Sequence, residues 1–331
     1  MLADLLLPVP IEPVVDLTLI RFSRRAMATT FEIALPAGTP DALPAAEDAL
    51  DLIDDLEGQL TVYRDHSEVS RLNAAAAERA VIVEAGLFDL LSQSAALTAD
   101  TAGAFDPATG ALTKEWGFYK REGRIPPPKE LAAARQCSGM RHVLLDPASQ
   151  SVKYRRAGLE LNFGGIGKGY ALDRAAELLQ RKWGVRSALL HGGGSSVYAI
   201  GCPPGQPRGW AVAVNHPHDD GRTLGTVWLA DRGFGTSAAT FQFFEYNGQR
   251  YGHLLDPRTG RPAAGIASAS CVAPTAAKAD ALSTAFFVAG AGWAEQYCRS
   301  RPDLAAVLLP DDADRPRTAN LGPLNYDPPT A

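Results

Sequence analysis

The amino-acid sequence predicts an α+β fold, in which helices and strands are mixed. Two observations predict it. Apolar residues recur at helical spacing in several long segments, whereas other short segments alternate between apolar and polar residues as strands do. These segments do not follow one another as regular strand–helix–strand units, which a doubly wound parallel sheet would require. The sequence also contains no internal repeat.

The first half of the chain begins with residues 1–16, which are rich in proline and valine and are expected to form an N-terminal arm. A helix is predicted from Asp41, because six apolar residues up to Leu60 fall on one helical face. The other elements expected in this half are strands at Leu17–Phe22 and Thr29–Leu35, helices at Ala85–Ala99 and Lys129–Gln136, and a hairpin of His142–Leu145 with Ser151–Tyr154.

The second half begins with a glycine-rich segment that turns helical, at Gly164–Trp183. A last clear helix is predicted at Thr275–Ala289, and Gly290 suits its C-terminal cap. The strands expected in between are Ala188–His191, Trp210–Asn215 and Gly225–Ala230. Residues 311–331 are rich in proline and aspartate and are expected to form an irregular tail.

The composition is that of an ordinary globular protein, with 331 residues, 46% hydrophobic residues and 21% charged residues. The net charge of −5 is not typical of a nucleic-acid partner, which would require a basic stripe. No stretch has the roughly 18 apolar residues that a membrane span needs. The first seven residues lack the features of a signal peptide or a lipid anchor. We therefore expect a cytoplasmic protein; a periplasmic location would require an upstream leader.

Asp280 and Thr284 lie four residues apart in ADALSTAFF. On a helix these side chains share one face, where a carboxylate and a hydroxyl offer two hard oxygen ligands to one cation such as Mg²⁺. The more frequent alternative is an ordinary helix surface, with a solvated aspartate and a threonine that hydrogen-bonds back to the helix backbone.

The glycine-rich segment NFGGIGKGYALD, at residues 162–173, combines four glycines with Lys168 and precedes a predicted helix. Glycines allow a ligand to approach the backbone, and free N–H groups at a helix N-terminus bind phosphate. The segment is equally consistent with a tight strand-to-helix connection and with a phosphate or nucleotide contact.

His253 precedes the turn sequence DPRTG. Histidine is the side chain best suited to proton transfer near neutral pH, although a lone histidine is more often a packed residue with both nitrogens hydrogen-bonded. Tyr63 and the aromatic residues near the turn TAGAFDPATG can stack on a flat ring, with core packing as the ordinary alternative.

These motifs occur in one order: MATTFEI at 27–33, LTVYRDHSEVSRLN at 60–73, TAGAFDPATG at 101–110, WGF at 116–118, GGIGKGYALD at 164–173, GTSAATF at 235–241, HLLDPRTGRP at 253–262 and ADALSTA at 279–285. In that order the sequence resembles the ApbE family of FAD:protein FMN transferases. The resemblance covers about residues 20–310, and HLLDPRTG followed by ADALSTA is its most specific part.

The resemblance implies an ApbE-like, T-fold-related domain over residues 17–310, with an FAD cleft between two subdomains. Met27 and Tyr63 would flank the isoalloxazine ring, and His253 would be the catalytic base. The other residues that would contact FAD are Ala104, Phe105, Asp106, Asn162, Lys168 and Leu254. The Mg²⁺ ligands would be the carbonyl of Gly165 with Asp280 and Thr284, assisted by Ser283.

The implied activity cleaves FAD to AMP and attaches FMN through a phosphoester bond to a threonine of a target flavoprotein subunit. The alternatives are an FAD pyrophosphatase, which uses water in the same site, and a flavin-binding protein without turnover. The sequence departs from the family pattern at three places. Asn162 stands where aspartate is usual, GGGSS at 192–196 replaces a GGD segment, and TSAAT at 236–240 replaces TSG.

Overall fold

The structure is a computed structural model that describes residues 17–238, 242–322 and 325–329. The arm expected at residues 1–16 lies outside the described residues. The helices are α1 (Ala42–Leu60), α2 (Glu68–Ala75), α3 (Ala85–Asp100), α4 (Gly110–Glu115), α5 (Pro128–Cys137), α6 (Gly167–Trp183), α7 (Ala276–Ala289) and α8 (Ala291–Arg299). Within the described ranges, none of these helices combines the length and the apolar character that crossing a bilayer requires.

Strands make up most of the remaining regular structure, together with two short 3₁₀ helices at Phe118–Lys120 and Met140–His142. In chain order they are β1 (Leu19–Ala26), β2 (Thr29–Pro36), β3 (Val81–Ile82), β4 (Val143–Asp146), β5 (Ser151–Tyr154), β6 (Ala188–Gly192), β7 (Ser196–Ile200), β8 (Trp210–His216), β9 (Asp219–Leu229), β10 (Arg232–Ala238), β11 (Phe243–Tyr246), β12 (Gln249–Gly252), β13 (Leu255–Asp256), β14 (Arg261–Pro262), β15 (Ile266–Ala273), β16 (Ala305–Pro310), β17 (Arg317–Ala319) and β18 (Tyr326–Asp327).

The central sheet has eight strands in the order β1-β2-β6-β7-β10-β15-β16-β17, and every neighbouring pair is antiparallel. Two three-stranded sheets, β3-β5-β4 and β18-β9-β8, and two hairpins, β11-β12 and β13-β14, complete the strand pairing. Helices therefore combine with antiparallel sheets, and the predicted α+β class is confirmed.

Strand β15 shows how the centre of the sheet is covered. All eight of its residues are buried. Ala269 and Cys271 pack in a cluster with α7 and α8, whereas Ala267 and Val272 pack on the other face with residues of β8 and β9. A strand covered on both faces has no polar side, so it lacks the alternation by which half-buried strands are found in a sequence.

Helix α7 packs closely against α6 and β10 because three residues of those elements that face it are glycines. A Cβ atom on Gly169 of α6 would lie 2.2 Å from the carbonyl oxygen of Ala276. On β10, a Cβ on Gly233 would lie 2.3 Å from the Ala276 nitrogen, and one on Gly235 would lie 2.7 Å from Asp280 Oδ1. The glycines of α6 and β10 thus let α7 bring Asp280 against both elements.

Most of the predicted elements are confirmed, including α1, α3, α5, α7 and the β4–β5 hairpin. Gly290 ends α7 with a positive φ of 88°, and its N–H donates to Phe286, as expected for a cap. The first strand is displaced from the predicted bounds, to Leu19–Ala26. The segment after Pro310 is not irregular throughout, because β17 pairs with β16 and β18 pairs with β9.

Candidate functional site

A cavity of about 400 Å³, which we call the site cavity, opens where several of these elements meet. Its walls come from the β1–β2 turn, the loops around residues 104–109 and 162–165, the first turn of α6, the end of β10, residues 253–257 and one face of α7. The site residues expected from the sequence all line it: Met27, Tyr63, Ala104, Phe105, Asp106, Asn162, Gly165, Lys168, His253, Leu254, Asp280 and Thr284. The structure therefore brings together residues that are up to 257 positions apart in the chain, from Met27 to Thr284.

Asp280 is buried, with 6% of its surface exposed. Its Oδ2 accepts hydrogen bonds from the Gly169 N–H at 2.8 Å and from the Ser196 hydroxyl at 2.9 Å. Burial raises the pKa of Asp280 to about 6, and the positive charge of Lys168 and these two hydrogen bonds oppose that rise. The interpretation of Asp280 as a solvated surface residue is therefore wrong.

Hydroxyl groups surround the carboxylate-bearing turn of α7. The Ser237 oxygen lies 2.9 Å from the Ser283 oxygen and 3.2 Å from the Thr284 oxygen. Both hydroxyls of α7 also donate back to the Asp280 carbonyl, Ser283 at 2.9 Å and Thr284 at 3.2 Å. The alternative interpretation of Thr284, a bond to its own helix, is thus correct, and it coexists with a position on the cavity wall.

The carboxylate of Asp173 fixes the start of α7. It accepts hydrogen bonds from the N–H groups of Ala276 at 2.7 Å and Ala277 at 2.9 Å, two donors that a helix leaves without intrahelical partners. Burial, followed by the nearby charge of Asp280, raises the pKa of Asp173 to about 7. Asp173 therefore holds the helix that carries Asp280 and Thr284, rather than reaching the cavity itself.

Lys168 lies in the first turn of α6 and is half-buried on the cavity wall. Its charge lowers the pKa of both Asp280 and His253, which places the ammonium group close to both. Within the described part of the chain it forms neither an ion pair nor a hydrogen bond. The positive charge is thus available to an anionic ligand.

His253 is held in one tautomer. Its Nδ1 lies 3.0 Å from the carbonyl oxygen of Gln242, which can only accept a hydrogen bond, so Nδ1 carries the proton. In the neutral ring Nε2 is then left with a free lone pair. Burial is the main cause that lowers the pKa of His253, and the charge of Lys168 lowers it further. At neutral pH the ring can therefore accept a proton.

Gln242 keeps this carbonyl in place. The His253 backbone N–H also donates to it at 3.0 Å, and the Gln242 side chain donates to the Phe118 carbonyl at 2.6 Å. Phe118 in turn contacts the His253 ring edge-to-face, with centroids 6.5 Å apart. The histidine is thus fixed by its neighbours on two sides.

Asp106 and Asn162 shape the loops of the cavity. The Asp106 carboxylate accepts the N–H groups of Ala108 at 2.8 Å and Met140 at 2.9 Å. Burial raises its pKa in spite of these bonds. Asn162 Oδ1 accepts the N–H of Gly164 at 2.9 Å, a bond that either an amide or a carboxylate oxygen can make.

The turn between β1 and β2 consists of two residues, Met27 and Ala28, which both have positive φ, at 49° and 61°. This conformation costs a residue other than glycine about 1–3 kcal/mol, and such strain is concentrated at ligand sites. Tyr63, 66% exposed, stacks on Tyr119 at 4.9 Å between ring centroids. Both Met27 and Tyr63 thus present surface to the cavity.

Sequence reasoning missed several residues of the cavity wall. These are Ala28, Pro107, Thr109, Thr113, Phe118, Gly164, Ser195, Thr236, Ser237, Ala238, Gln242, Leu255 and Pro257. Ser195 and Thr236–Ala238 lie in segments 192–196 and 236–240, which depart from the family pattern. That departure was a usable signal for these residues. Residues 239–240 of the TSAAT segment lie outside the described residues. Nothing in the sequence pointed to Gln242, because its contribution to the site is a backbone carbonyl.

The described residues contain no group of three or more histidine, cysteine or acidic side chains that could hold a metal ion. The oxygen groups that meet around α7 on the cavity wall are the carboxylate of Asp280 and the hydroxyls of Ser237, Ser283 and Thr284. Gly165 adjoins them, since a Cβ there would lie 3.3 Å from Thr284 Oγ1. This set resembles the sites at which Mg²⁺ takes one or two carboxylates and completes its shell with substrate phosphates.

The model of the ApbE family matches residues 27–308, which is most of the chain and includes the whole site cavity. The chain belongs to the ApbE family. It is 33% identical over 279 residues to the FAD:protein FMN transferase of Treponema pallidum, an alignment that covers 80% of this chain and 76% of that protein. The family resemblance found in the sequence is thereby confirmed.

Solved ApbE structures have the same fold. The crystal structure of the ApbE protein of Thermotoga maritima superposes with a TM-score of 0.83 at 28% identity, covering 91% of this chain and 97% of that one. The apo flavinyl transferase ApbE of Pseudomonas stutzeri superposes with a TM-score of 0.79, also at 28% identity, covering 91% and 94%. The predicted ApbE-type architecture is confirmed by these superpositions.

Proposed function

We propose that this member of the ApbE family cleaves FAD with the help of Mg²⁺ and attaches the FMN half to a threonine of another flavoprotein. As a member of this family the chain is a transferase that moves a flavin. The observation that carries the finer proposal is the meeting of three groups on one cavity. They are a histidine whose Nε2 keeps a lone pair, a lysine that forms no ion pair with the described residues, and a buried carboxylate on the same helix face as the hydroxyl of Thr284.

The oxygen donors of α7 suit Mg²⁺. Asp280 Oδ2 is occupied by two donors, whereas Oδ1 accepts no hydrogen bond from the described residues, so one carboxylate oxygen remains for a cation. Thr284 and the Gly165 carbonyl would complete the protein ligands. When bound, Mg²⁺ neutralises the pyrophosphate of FAD and makes AMP a better leaving group.

The residues of the chain supply binding, charge and a base. Met27 and Tyr63 would hold the flavin ring between them, and Lys168 would pair with a phosphate. The oxygen of the acceptor threonine attacks the phosphorus of the FMN half, and His253 Nε2 takes the hydroxyl proton. The bond from that phosphorus to the bridging oxygen breaks, and AMP leaves with that oxygen. Most of the acceleration would come from alignment and charge stabilisation, as in other phosphoryl transfers.

The hydrolase and the transferase differ only in what occupies the position of the nucleophile. Water needs no positioning surface, whereas a protein hydroxyl must be held in line with the departing AMP. Such positioning is worth several kcal/mol, because the nucleophile loses its translational freedom on binding. A site that binds the acceptor therefore favours threonine over the far more abundant water.

The proposal is tested by incubating the protein with FAD, Mg²⁺ and a flavoprotein subunit that carries the acceptor threonine. We expect a fluorescent band on a denaturing gel, an acceptor mass increased by FMN minus water, and an equal amount of AMP. The acceptor variant in which that threonine is replaced by valine is the control and should give no band. Free FMN with free AMP would instead indicate a pyrophosphatase, and intact bound FAD a binding protein.

A further inference from the structure

A second cavity, of about 480 Å³, adjoins the site cavity at Pro257, which lines both. We call it the basic groove. The described residues that form it are Ala132, Arg135, Gln136, Arg141, Pro257 and Arg258. Three of these six residues are arginines and none is acidic, so the groove beside the site has a strongly positive wall.

Each arginine side chain of the groove hydrogen-bonds to a neighbouring carboxylate or backbone carbonyl. Arg258 is fixed by Asp256, with Nε at 2.8 Å from Oδ1 and Nη2 at 3.0 Å from Oδ2. Arg135 Nη2 donates to the Arg258 carbonyl at 3.0 Å, and Arg141 Nη2 lies 3.4 Å from the Arg135 carbonyl. Among the described residues, only Arg258 of the three has an acidic partner. Arg135 and Arg141 therefore form no ion pair with the described residues, although the charge of Arg141 acts on the nearby carboxylate of Asp106.

The positive field extends beyond the groove. Burial is the main cause that lowers the pKa of His142, and the charges of Arg141, Arg156 and Arg155 lower it further. The carboxylate of Asp106, which Arg141 also influences, is already held by two backbone N–H groups. Arg155 and Arg156, which follow β5, thus add positive charge near Arg141, although the whole chain is acidic.

We propose that the basic groove binds acidic residues that flank the acceptor threonine, and so places the protein substrate at the mouth of the site cavity. This inference rests on the proposed function. The acceptor threonine must reach the site cavity, so the residues on one side of the threonine must cross the edge of that cavity. Pro257 lies at this edge and also lines the basic groove. Arginine forks bind carboxylates in a bidentate way, and an open groove with exposed arginines accommodates an extended peptide.

The test uses two synthetic peptides of equal length, each with one threonine. In the first the threonine is flanked by aspartates, and in the second the aspartates are replaced by asparagines. For the parent protein we expect a higher kcat/KM with the aspartate peptide. The difference should shrink as salt increases, because exposed charges are screened within about 8 Å at physiological ionic strength.

The decisive variant replaces Arg135 and Arg141 with glutamine. We expect kcat/KM for the aspartate peptide to fall roughly 2- to 30-fold, the range that two exposed ion pairs supply. The asparagine peptide and the Kd for FAD should be unaffected. Arg135→Lys keeps the charge but not the bidentate fork, so it should retain only part of the preference. The control replaces Arg186 and Arg299, two exposed arginines that line neither cavity, and should behave as the parent.

The outcomes separate this inference from the proposed function. If both peptides are modified equally well, or if the Arg135/Arg141 variant still prefers the aspartate peptide, the groove does not bind acidic residues beside the threonine. If that variant instead weakens FAD binding, the groove holds part of FAD and the inference is wrong. If neither peptide nor a flavoprotein subunit is ever modified, the transferase proposal itself fails.

Discussion

Asp280→Asn should inactivate the protein and at the same time stabilise its metal-free form. The amide keeps one oxygen that can accept the hydrogen bonds from Gly169 and Ser196, so the contacts that position α7 are preserved. What is lost is the negative charge. In the metal-bound protein that charge binds the cation. In the metal-free protein it is a buried charge that has lost its hydration, which destabilises the fold.

The size of the effect follows from the pKa. Burial raises the pKa of Asp280 from its usual 3.8 to about 6, so the folded protein binds this proton more tightly than the unfolded chain. The free energy of unfolding therefore decreases as pH rises between these values. Above pH 6 the ionised carboxylate costs about 3 kcal/mol, since each pH unit corresponds to about 1.4 kcal/mol. The asparagine variant does not have this cost.

Thermal unfolding in EDTA measures the gain, which at pH 7.5 should be roughly 5–10 °C for a chain of this size. The advantage of the variant should vanish near pH 4. Adding Mg²⁺ with FAD at about 1,000 times their Kd should reverse the order, because it stabilises the parent by about 4.1 kcal/mol, more than the roughly 3 kcal/mol that the variant gains, and stabilises the variant much less. AMP release should fall at least about 100-fold, as when a key electrostatic group is removed.

Two results would refute this reasoning. A metal-free variant that is less stable than the parent at every pH would mean that the carboxylate stabilises the fold. An unchanged rate of AMP release with an unchanged response to Mg²⁺ would mean that Asp280 is not a metal ligand.

Three further predictions concern single residues of the site. His253→Ala should still bind FAD by fluorescence titration but lose about 10²- to 10⁴-fold in transfer. In the parent, because the pKa of His253 is lowered, kcat/KM should decline only as pH falls below 6.5, and a decline already complete at 6.5 would contradict the assignment. Gly169→Ala places a Cβ 2.2 Å from the Ala276 oxygen and should lower the free energy of unfolding in urea by about 1–3 kcal/mol. The control Gly292→Ala lies in a helix with open space around it and should not lower that free energy. Equal stabilities of the two variants would disprove the close packing. Asn162→Asp should change the Kd for FAD more than the Mg²⁺ requirement of AMP release, and a lost Mg²⁺ requirement would show that this residue is misplaced.

The sequence alone predicted the elements in which apolar residues recur with a clear helical period. Helix α1 shows six apolar residues on one face, and its observed start, Ala42, directly follows the expected Asp41. Helix α7 is observed within one residue of its expected bounds. The candidate residues of the site were found through the ordered motifs, and the structure brings them to one cavity, although their individual roles stay predictions.

Elements without a strong period were missed. Strand β15 consists largely of alanine and serine and is buried on both faces, so no alternation marked it. Helix α2 has only eight residues, although the side chain of Ser67 caps it by accepting from Ser70. The β11–β12 hairpin has a usable signal in Asn247-Gly248, a pair that favours tight hairpin turns, but it was not used.

The central claim is that a threonine oxygen, and not water, attacks the phosphorus of the FMN half of FAD. It is tested most directly by running the reaction in water enriched in oxygen-18 and measuring the masses of all products. Direct transfer predicts a flavinylated acceptor and AMP that both lack the label, in equal amounts. Label in free FMN or in AMP, with the acceptor unmodified, would show that water is the nucleophile and would contradict the account.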